Sequence, residues 1–377
     1  MKNKVLHVIT GLDDGGAEGV LTRLCLNSHA FEHVVVSLTN EGKYGLQLKT
    51  NGIKVYSLEM VPGRPSVRKL YQLTKWIKSE KPQVVQTWMY HSDLFGGIAA
   101  RFAGVQNVFW GVRHSTLDKN NSKRLTRTIA RICSVLSYIV PRKIICCAEK
   151  AKEVHAGIGY QKSKLVVIPN GFDTAKFSPD AIGRDKVRKE FRISTFVPLI
   201  GMVGRFAEQK DHSNLMNSLA ILKSGLNSFR CLLVGTNLDS ANQGLIELLD
   251  FHGLSDYVFL AGPRSDIAQI MNAIDIHVLS SNGGEGFPNV VAEAMACGTP
   301  CISTDVGDAK LIIGNAGLTC PTSQPSALAD AMLILLKEFY EETHKWNARK
   351  EYCREIIKKE YSIEKFVERF ENYWSIE

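Results

Sequence analysis

Two carboxylates, Glu285 and Glu293, stand eight residues apart in "SSNGGEGFPNVVAEAMACGTP", residues 280–300. Pro288 suits the first turn of a helix and Gly298 its end, so the spacing predicts a helix from near Pro288 to Cys297. Glu285 then lies in the preceding loop, and Glu293 lies in the second turn of the helix among Ala292, Ala294, Met295 and Ala296. A carboxylate among such small apolar side chains is costly to bury unless something satisfies it. Hydroxyl groups do so well, because one carboxylate accepts two of them. One acid can therefore hold a sugar and the other a ribose. A helix-dipole partner plus a helix-face salt bridge accounts for either glutamate alone, but not for Gly283, Gly284 and Gly286 beside them.

Two further stretches carry charge or open backbone at the ends of apolar runs. In "GMVGRFAEQKD", Arg205 offers a bidentate donor and Lys210 a mobile point charge. Together they suit a diphosphate; a solvated surface loop is the other reading. In "GLDDGGAEG", Gly15 and Gly16 come just before a helix pattern. They either open helix amides to an anion or make the tight turn that such a fold needs. The full dinucleotide fingerprint G-x-G-x-x-G is missing, which argues against a dehydrogenase.

The elements that must position these residues recur regularly. "KVLHVIT", "HVVVSL", "IKVYSL", "QVVQTW", "NVFWGV", "KIICCA" and "KLVVIP" are strand-like runs separated by segments with helical spacing. After a polar stretch at roughly 171 to 195 the alternation restarts with "VPLIGMVG", "FRCLLVG", "YVFLAG", "IDIHVLSS" and "PCISTD". The fold class is α/β, with two Rossmann-like halves facing one another and ligands at the C-terminal ends of the strands. From Ser326 onward the chain is helical and charged.

Composition narrows the class. A chain of 377 residues with 45% hydrophobic content supports two or three domains. The net charge of +8 fits an anionic small ligand, an anionic membrane surface or nucleic acid without choosing among them. No recognisable nucleic-acid module is present. Nine scattered cysteines without a Cys-x-x-Cys pair read as reduced thiols in a cytoplasm. The apolar run at the N-terminus stops at Asp13 and Asp14, short of a signal peptide. "IARICSVLSYIVP" holds Arg131 and is shorter than the ~20 residues of a membrane span. Just before and within it, Lys123, Arg127 and Arg131 recur at four-residue spacing with Arg124 adjacent, a basic helix start followed by an apolar end. It reads either as a weak contact with an anionic membrane surface or as a core helix with a solvated face.

With these residues in view, the sequence resembles the retaining glycosyltransferases of the GT-B fold, family 4 (glycosyl transferases group 1). "EGFPNVVAE" looks like that family's E-x7-E motif, and "GGAE" (15–18), "IPNGFD" (168–173), "GRFAEQK" (204–210), "FLAGPRSDI" (259–267) and the final "YSIEKFVERFENYW" follow in the family's order. The resemblance covers essentially the whole chain. It implies an N-terminal acceptor domain over 1–170, a nucleotide-sugar domain over 171–355, and a helix over 356–377 that returns to the first domain.

The resemblance also implies roles. Glu285 would bind donor-sugar hydroxyls and Glu293 the nucleotide ribose, while Arg205 and Lys210 neutralise the leaving diphosphate. The backbone near Pro263 and Arg264 would hold the base. Gly15 and Gly16 would face phosphates or acceptor, and Gly286, Phe287, Pro288 and Asn289 would line the sugar. His114, in "WGVRHS", matches a histidine near the reacting carbon, and the adjacent Arg113 could touch the acceptor. Glu285, His114, Arg205 and Lys210 are thus the expected catalytic set. No metal or other cofactor is expected, because no D-x-D triplet occurs in the chain and the two cations can serve the diphosphate. The expected acceptor is a lipid-linked glycan of surface-polysaccharide synthesis at the cytoplasmic membrane face. Another GT-B enzyme, such as a nucleotide-sugar epimerase, or a non-catalytic nucleotide-sugar-binding protein, would keep the same cleft.

Overall fold

The strand runs fold into two parallel sheets in a computed structural model that describes residues 3–13, 15–61, 63–64, 66–117, 124–226 and 228–375. The chain divides into one unit of Met1–Gly171 with Ile363–Glu377 and a second of Phe172–Ser362.

In the first unit the strands are β1 (Asn3–Ile9), β2 (Phe31–Ser37), β3 (Lys54–Ser57), β4 (Val84–Trp88), β5 (Asn107–Val112), β6 (Lys143–Cys146) and β7 (Leu165–Val167). Their order is β3-β2-β1-β4-β5-β6-β7, with every pair parallel. Helices α1 (Gly16–Asn27), α2 (Gly42–Thr50), α3 (Val67–Glu80), α4 (Tyr90–Phe102), α5 (Arg124–Leu136) and α6 (Glu149–Gly157) make the connections. Covered on both faces, the central strands are buried without alternation: all five residues of "VVQTW" in β4 are buried, Gln86 and Thr87 included.

The second unit repeats the plan. Strands β8 (Leu199–Val203), β9 (Arg230–Val234), β10 (Val258–Leu260), β11 (Ile276–Leu279), β12 (Cys301–Thr304) and β13 (Leu318–Cys320) lie in the order β10-β9-β8-β11-β12-β13, again parallel. The last strand is absent from the runs legible in sequence; "LTC" is too short to show a period. Helices α7 (Ala181–Glu190), α8 (His212–Gly225), α9 (Gln243–Phe251), α10 (Ile267–Ala273), α11 (Asn289–Ala296), α12 (Ala309–Ile313), α13 (Pro325–Glu341) and α14 (Thr343–Glu360) complete it. The predicted 288–297 helix is α11, one residue shorter at each end.

Buried Asp275 ties α7 to this sheet. Its carboxylate accepts from Arg184 at 2.7 Å, from Arg188 at 3.1 Å and from the Leu199 amide at 2.8 Å. Three donors make a buried charge tolerable.

The C-terminal helix α15 (Ile363–Trp374) belongs to the first unit, where Phe366, Phe370 and Trp374 enter the core beside Trp88 and Phe31. Gly171 is needed there: a Cβ would stand 2.3 Å from that of Phe366. No helix among the described residues is long and apolar enough to cross a membrane.

Candidate functional site

In both sheets the chain order reverses beside the first strand, between β1 and β4 and between β8 and β11. Loops leaving the C-terminal ends of such a pair diverge and leave a crevice, the usual ligand position in an open α/β sheet. In the second unit those two loops are 204–211 and 280–288, the stretches that carry Arg205, Lys210 and Glu285.

Lys210 donates from Nζ to Glu285 Oε1 at 2.6 Å, and Ser281 donates from Oγ to the same oxygen at 2.9 Å. Both side chains of the ion pair are mostly buried, at 13% and 12% exposure. The pairing follows from how the loops are tied. Ser280 Oγ donates to the carbonyl of Lys210 at 2.8 Å, and the Asn282 amide to that of Gln209 at 3.0 Å. On the other side, the Asp308 amide donates to the carbonyl of Gly286 at 2.9 Å, and Gly307 (φ +55°) leaves no room there for a Cβ. Glu285 therefore sits in a short loop gripped at both ends. Arg205 is exposed on its own loop, whose Gly204 and Phe206 amides bond the carbonyls of Val234 and Thr236.

Glu293 is half-buried on α11, as expected of a carboxylate between inward-facing alanines. It lies near Cys297: burial first, and then this carboxylate, push that thiol up to about 12. Phe287 turns inward, stacked on Phe172 at 5.9 Å and edge-on to Tyr361 at 5.4 Å, so the loop offers a ligand backbone here rather than this ring. Pro288 is buried behind it, with Asn289 opening the helix. Pro263 is exposed, while Arg264 is held by forked contacts to Glu190 and Asp266. Its guanidinium is committed to these two carboxylates.

In the first unit, Gly15 is the N-cap of α1 and has no side chain to cap it. Glu18 fills that place: its carboxylate lies 2.2 Å from where a Gly15 Cβ would stand. The start of α1, with Gly16 next in line, thus carries its own anion. His114 follows β5 and is exposed, its imidazole stacked on Tyr90 with ring centroids 5.9 Å apart; partial burial lowers its pKa. Tyr90 is fixed from the other face by His155, 2.6 Å from its hydroxyl. Nδ1 of His155 lies 2.6 Å from the Ala151 carbonyl, so it carries the proton and Nε2 accepts from Tyr90. Met89, at φ +70°, makes the turn that sets Tyr90 at the head of α4. A non-glycine residue in that region costs about 1–3 kcal/mol and persists only where the surroundings impose it. Arg113 stacks on Trp88 at 4.6 Å and donates to Asn170 at 2.8 Å.

The sequence reading missed Ser281, Gln209 and Tyr90. "SS" at a strand end was the signal for the first; the other two act through neighbours distant in sequence.

Among the described residues, His7, Cys25 and His33 have ligand atoms within 4.8 Å of one another, deep in the first unit. Their hydrogen bonds argue against metal binding. Trp88 Nε1 can only donate, so His7 Nδ1, at 3.2 Å, accepts. His7 Nε2 then carries the proton and donates to His33 Nδ1 at 3.0 Å. Both facing nitrogens are occupied by this bond.

Comparison with known proteins follows the same division. Residues 14–176 match the family model described as Glycosyltransferase Family 4, and residues 197–338 match Glycosyl transferases group 1. The chain is 27% identical to the N,N'-diacetylbacillosaminyl-diphospho-undecaprenol alpha-1,3-N-acetylgalactosaminyltransferase of Campylobacter jejuni, over 81% of this chain and 82% of that one. It is also 27% identical to the Escherichia coli UDP-Gal:alpha-D-GlcNAc-diphosphoundecaprenol alpha-1,3-galactosyltransferase, over 66% and 64%. Among solved structures, HepE of Anabaena in complex with UDP superposes with a TM-score of 0.86 at 19% identity, over the full length of both chains.

Proposed function

The chain belongs to the family 4 glycosyltransferases with the GT-B fold, and from that premise we infer a retaining transfer of a sugar from a nucleotide-sugar donor to a lipid-linked saccharide. The observation that carries this reading is the Lys210–Glu285 pair at the strand reversal of the second unit. Departure of a nucleoside diphosphate concentrates negative charge on its oxygens while the anomeric carbon becomes cationic. Preorganised cations aimed at those oxygens are then the largest available aid. Lys210 and Arg205 supply them. Glu285, held by Ser281 and Lys210, accepts hydroxyls of the donor sugar and so fixes the carbon that reacts.

Glu293 takes the ribose hydroxyls, and the backbone beside Pro263 and Arg264 takes the base. His114, resting on Tyr90, contacts the donor near the reacting carbon. No protein base is dedicated to the acceptor; a phosphate oxygen of the leaving group takes its proton. The relatives from C. jejuni and E. coli are named for undecaprenol-diphosphate acceptors, which supports a lipid-linked acceptor here and a peripheral position on the cytoplasmic face of the membrane.

The test is incubation with a panel of nucleotide sugars, first alone and then with polyprenyl-diphosphate saccharides. One donor is expected to raise the melting temperature and to be consumed, giving an α-linked product from an α-linked donor by NMR. A β-linked product would refute retention. Epimerised free donor, or binding without consumption, would refute transfer.

A further inference from the structure

We propose that the outward face of α5 is the surface by which this protein docks on an anionic lipid bilayer. The inference rests on the membrane-face acceptor reading above for its purpose, but on different residues for its evidence.

The helix has two apolar faces, and only one is buried, against α4. Ile129, Ala130, Cys133 and Ser134 are buried. Leu125 (50% exposed), Ile132 (44%) and Val135 (72%) are not, nor are Tyr138 and Ile139 just past the helix end. At about 100° per residue, Leu125, Ile132 and Val135 fall on one outward stripe. Arg124 and Arg131, both exposed, and Arg127, half-buried, run along one side of it. Lys123, the other cation of that spacing, lies outside the described residues.

Charge decides which partner fits. Between Asp118 and Glu149 the chain has no acidic residue and seven Lys or Arg. None of the three arginines on α5 has an ion-pair partner among the described residues. A protein interface would bury arginines against acids or hydrogen-bond acceptors. An anionic bilayer accepts an apolar ridge into its acyl boundary and leaves flanking arginines among the headgroups. The orientation also serves the reaction. The connection β5–α5–β6 joins parallel strands, so the arginine-bearing start of α5 lies at the sheet edge that carries His114. A lipid-linked acceptor lying at that bilayer would reach the protein from the same side.

Vesicle flotation with the full-length chain tests this, using phosphatidylglycerol–phosphatidylcholine vesicles against phosphatidylcholine alone. Two variants separate the forces: R124Q/R131Q removes charge, and L125S/I132S/V135S removes the ridge without touching a buried side chain. Wild type should float with anionic vesicles and bind neutral ones far less. R124Q/R131Q should lose about 25-fold in partitioning, on the scale of one surface cation each, and high salt should reproduce that loss in wild type. The apolar variant should lose on the order of a hundredfold at any salt. Melting temperature and hydrolysis of donor in solution should not change.

Failure of wild type to float, or unchanged flotation in both variants, would overturn the proposal. So would a wild-type dimer that L125S/I132S/V135S converts to monomer while flotation persists, because the ridge would then be a self-interface. If lipid-linked acceptors are glycosylated but flotation is unaffected, this proposal alone fails. If flotation behaves as described but no lipid-linked acceptor is used, the acceptor reading alone fails.

Discussion

Lys210 Nζ lies 2.6 Å from Glu285 Oε1, although 75 residues separate them in the chain. Sequence resemblance gives these residues separate duties, one for the diphosphate and one for the sugar. Their contact makes them one unit: the lysine fixes the carboxylate that fixes the donor, and a bound diphosphate would share the lysine. Lys210→Ala and Glu285→Ala should each lower kcat about 30- to 1,000-fold, the scale for loss of one transition-state contact. The double variant should fall well short of the product, with a coupling of about 1–3 kcal/mol. Arg205→Ala should lower kcat on the same scale, but Arg205→Ala with Glu285→Ala should be closer to multiplicative. Steady-state kinetics on the set decides it; multiplicative losses for Lys210 and Glu285 would mean that the pair is not a functional unit.

Glu293 should behave differently. Half-buried on α11 and assigned to a ribose, it contacts a part of the donor that changes little as the glycosidic bond breaks. Glu293→Ala should therefore weaken nucleotide binding by about 1.5–3 kcal/mol, a charged hydrogen bond's worth, and leave kcat nearly intact. Calorimetric titration with the nucleoside diphosphate provides the comparison. Unchanged affinity with a crippled kcat would move Glu293 to the reacting centre.

Much of this arrangement was open to reading in the chain, for physical reasons. Strands buried on both faces are mostly apolar, so most of those described were visible as β-branched runs. A carboxylate between alanines advertises a site because its partial burial needs compensating partners. What stayed hidden depends on distant partners. The Lys210–Glu285 bond needs β8 and β11 to be neighbours, which only the strand order supplies. Tyr90 under His114 needs the turn at Met89. On α5 the apolar residues form two stripes, and composition does not say which one is buried against α4.

Acid should unfold the protein through its buried histidines. Burial, together with the neighbouring imidazole, holds the His7 pKa well below its ordinary value; burial lowers that of His33 to about 4 from 6.5. Between pH 6.5 and about 4 the unfolded chain binds protons at these sites and the folded chain does not. Stability is thus fully present above pH 6.5 and falls with pH through that window, by up to about 1.4 kcal/mol per pH unit for each histidine. His33→Gln should flatten the slope by about one proton, at some cost in stability at pH 8 from the lost bond to His7. Urea denaturation at half-unit pH steps measures it. A wild-type slope that His33→Gln leaves unaltered would show that this histidine is not held neutral.

The cation pair also predicts metal independence. Arg205 and Lys210 are the two cations of loop 204–211, Lys210 being shared with Glu285, and the chain has no D-x-D triplet to hold a divalent ion in their place. Transfer in excess EDTA should proceed at the full rate, and added magnesium or manganese should change kcat less than twofold. The control is internal: Lys210→Ala, crippled in EDTA, should regain little when metal is added. Loss of wild-type transfer in EDTA, restored by magnesium, would assign the leaving-group charge to a metal and return Lys210 to the task of orienting Glu285.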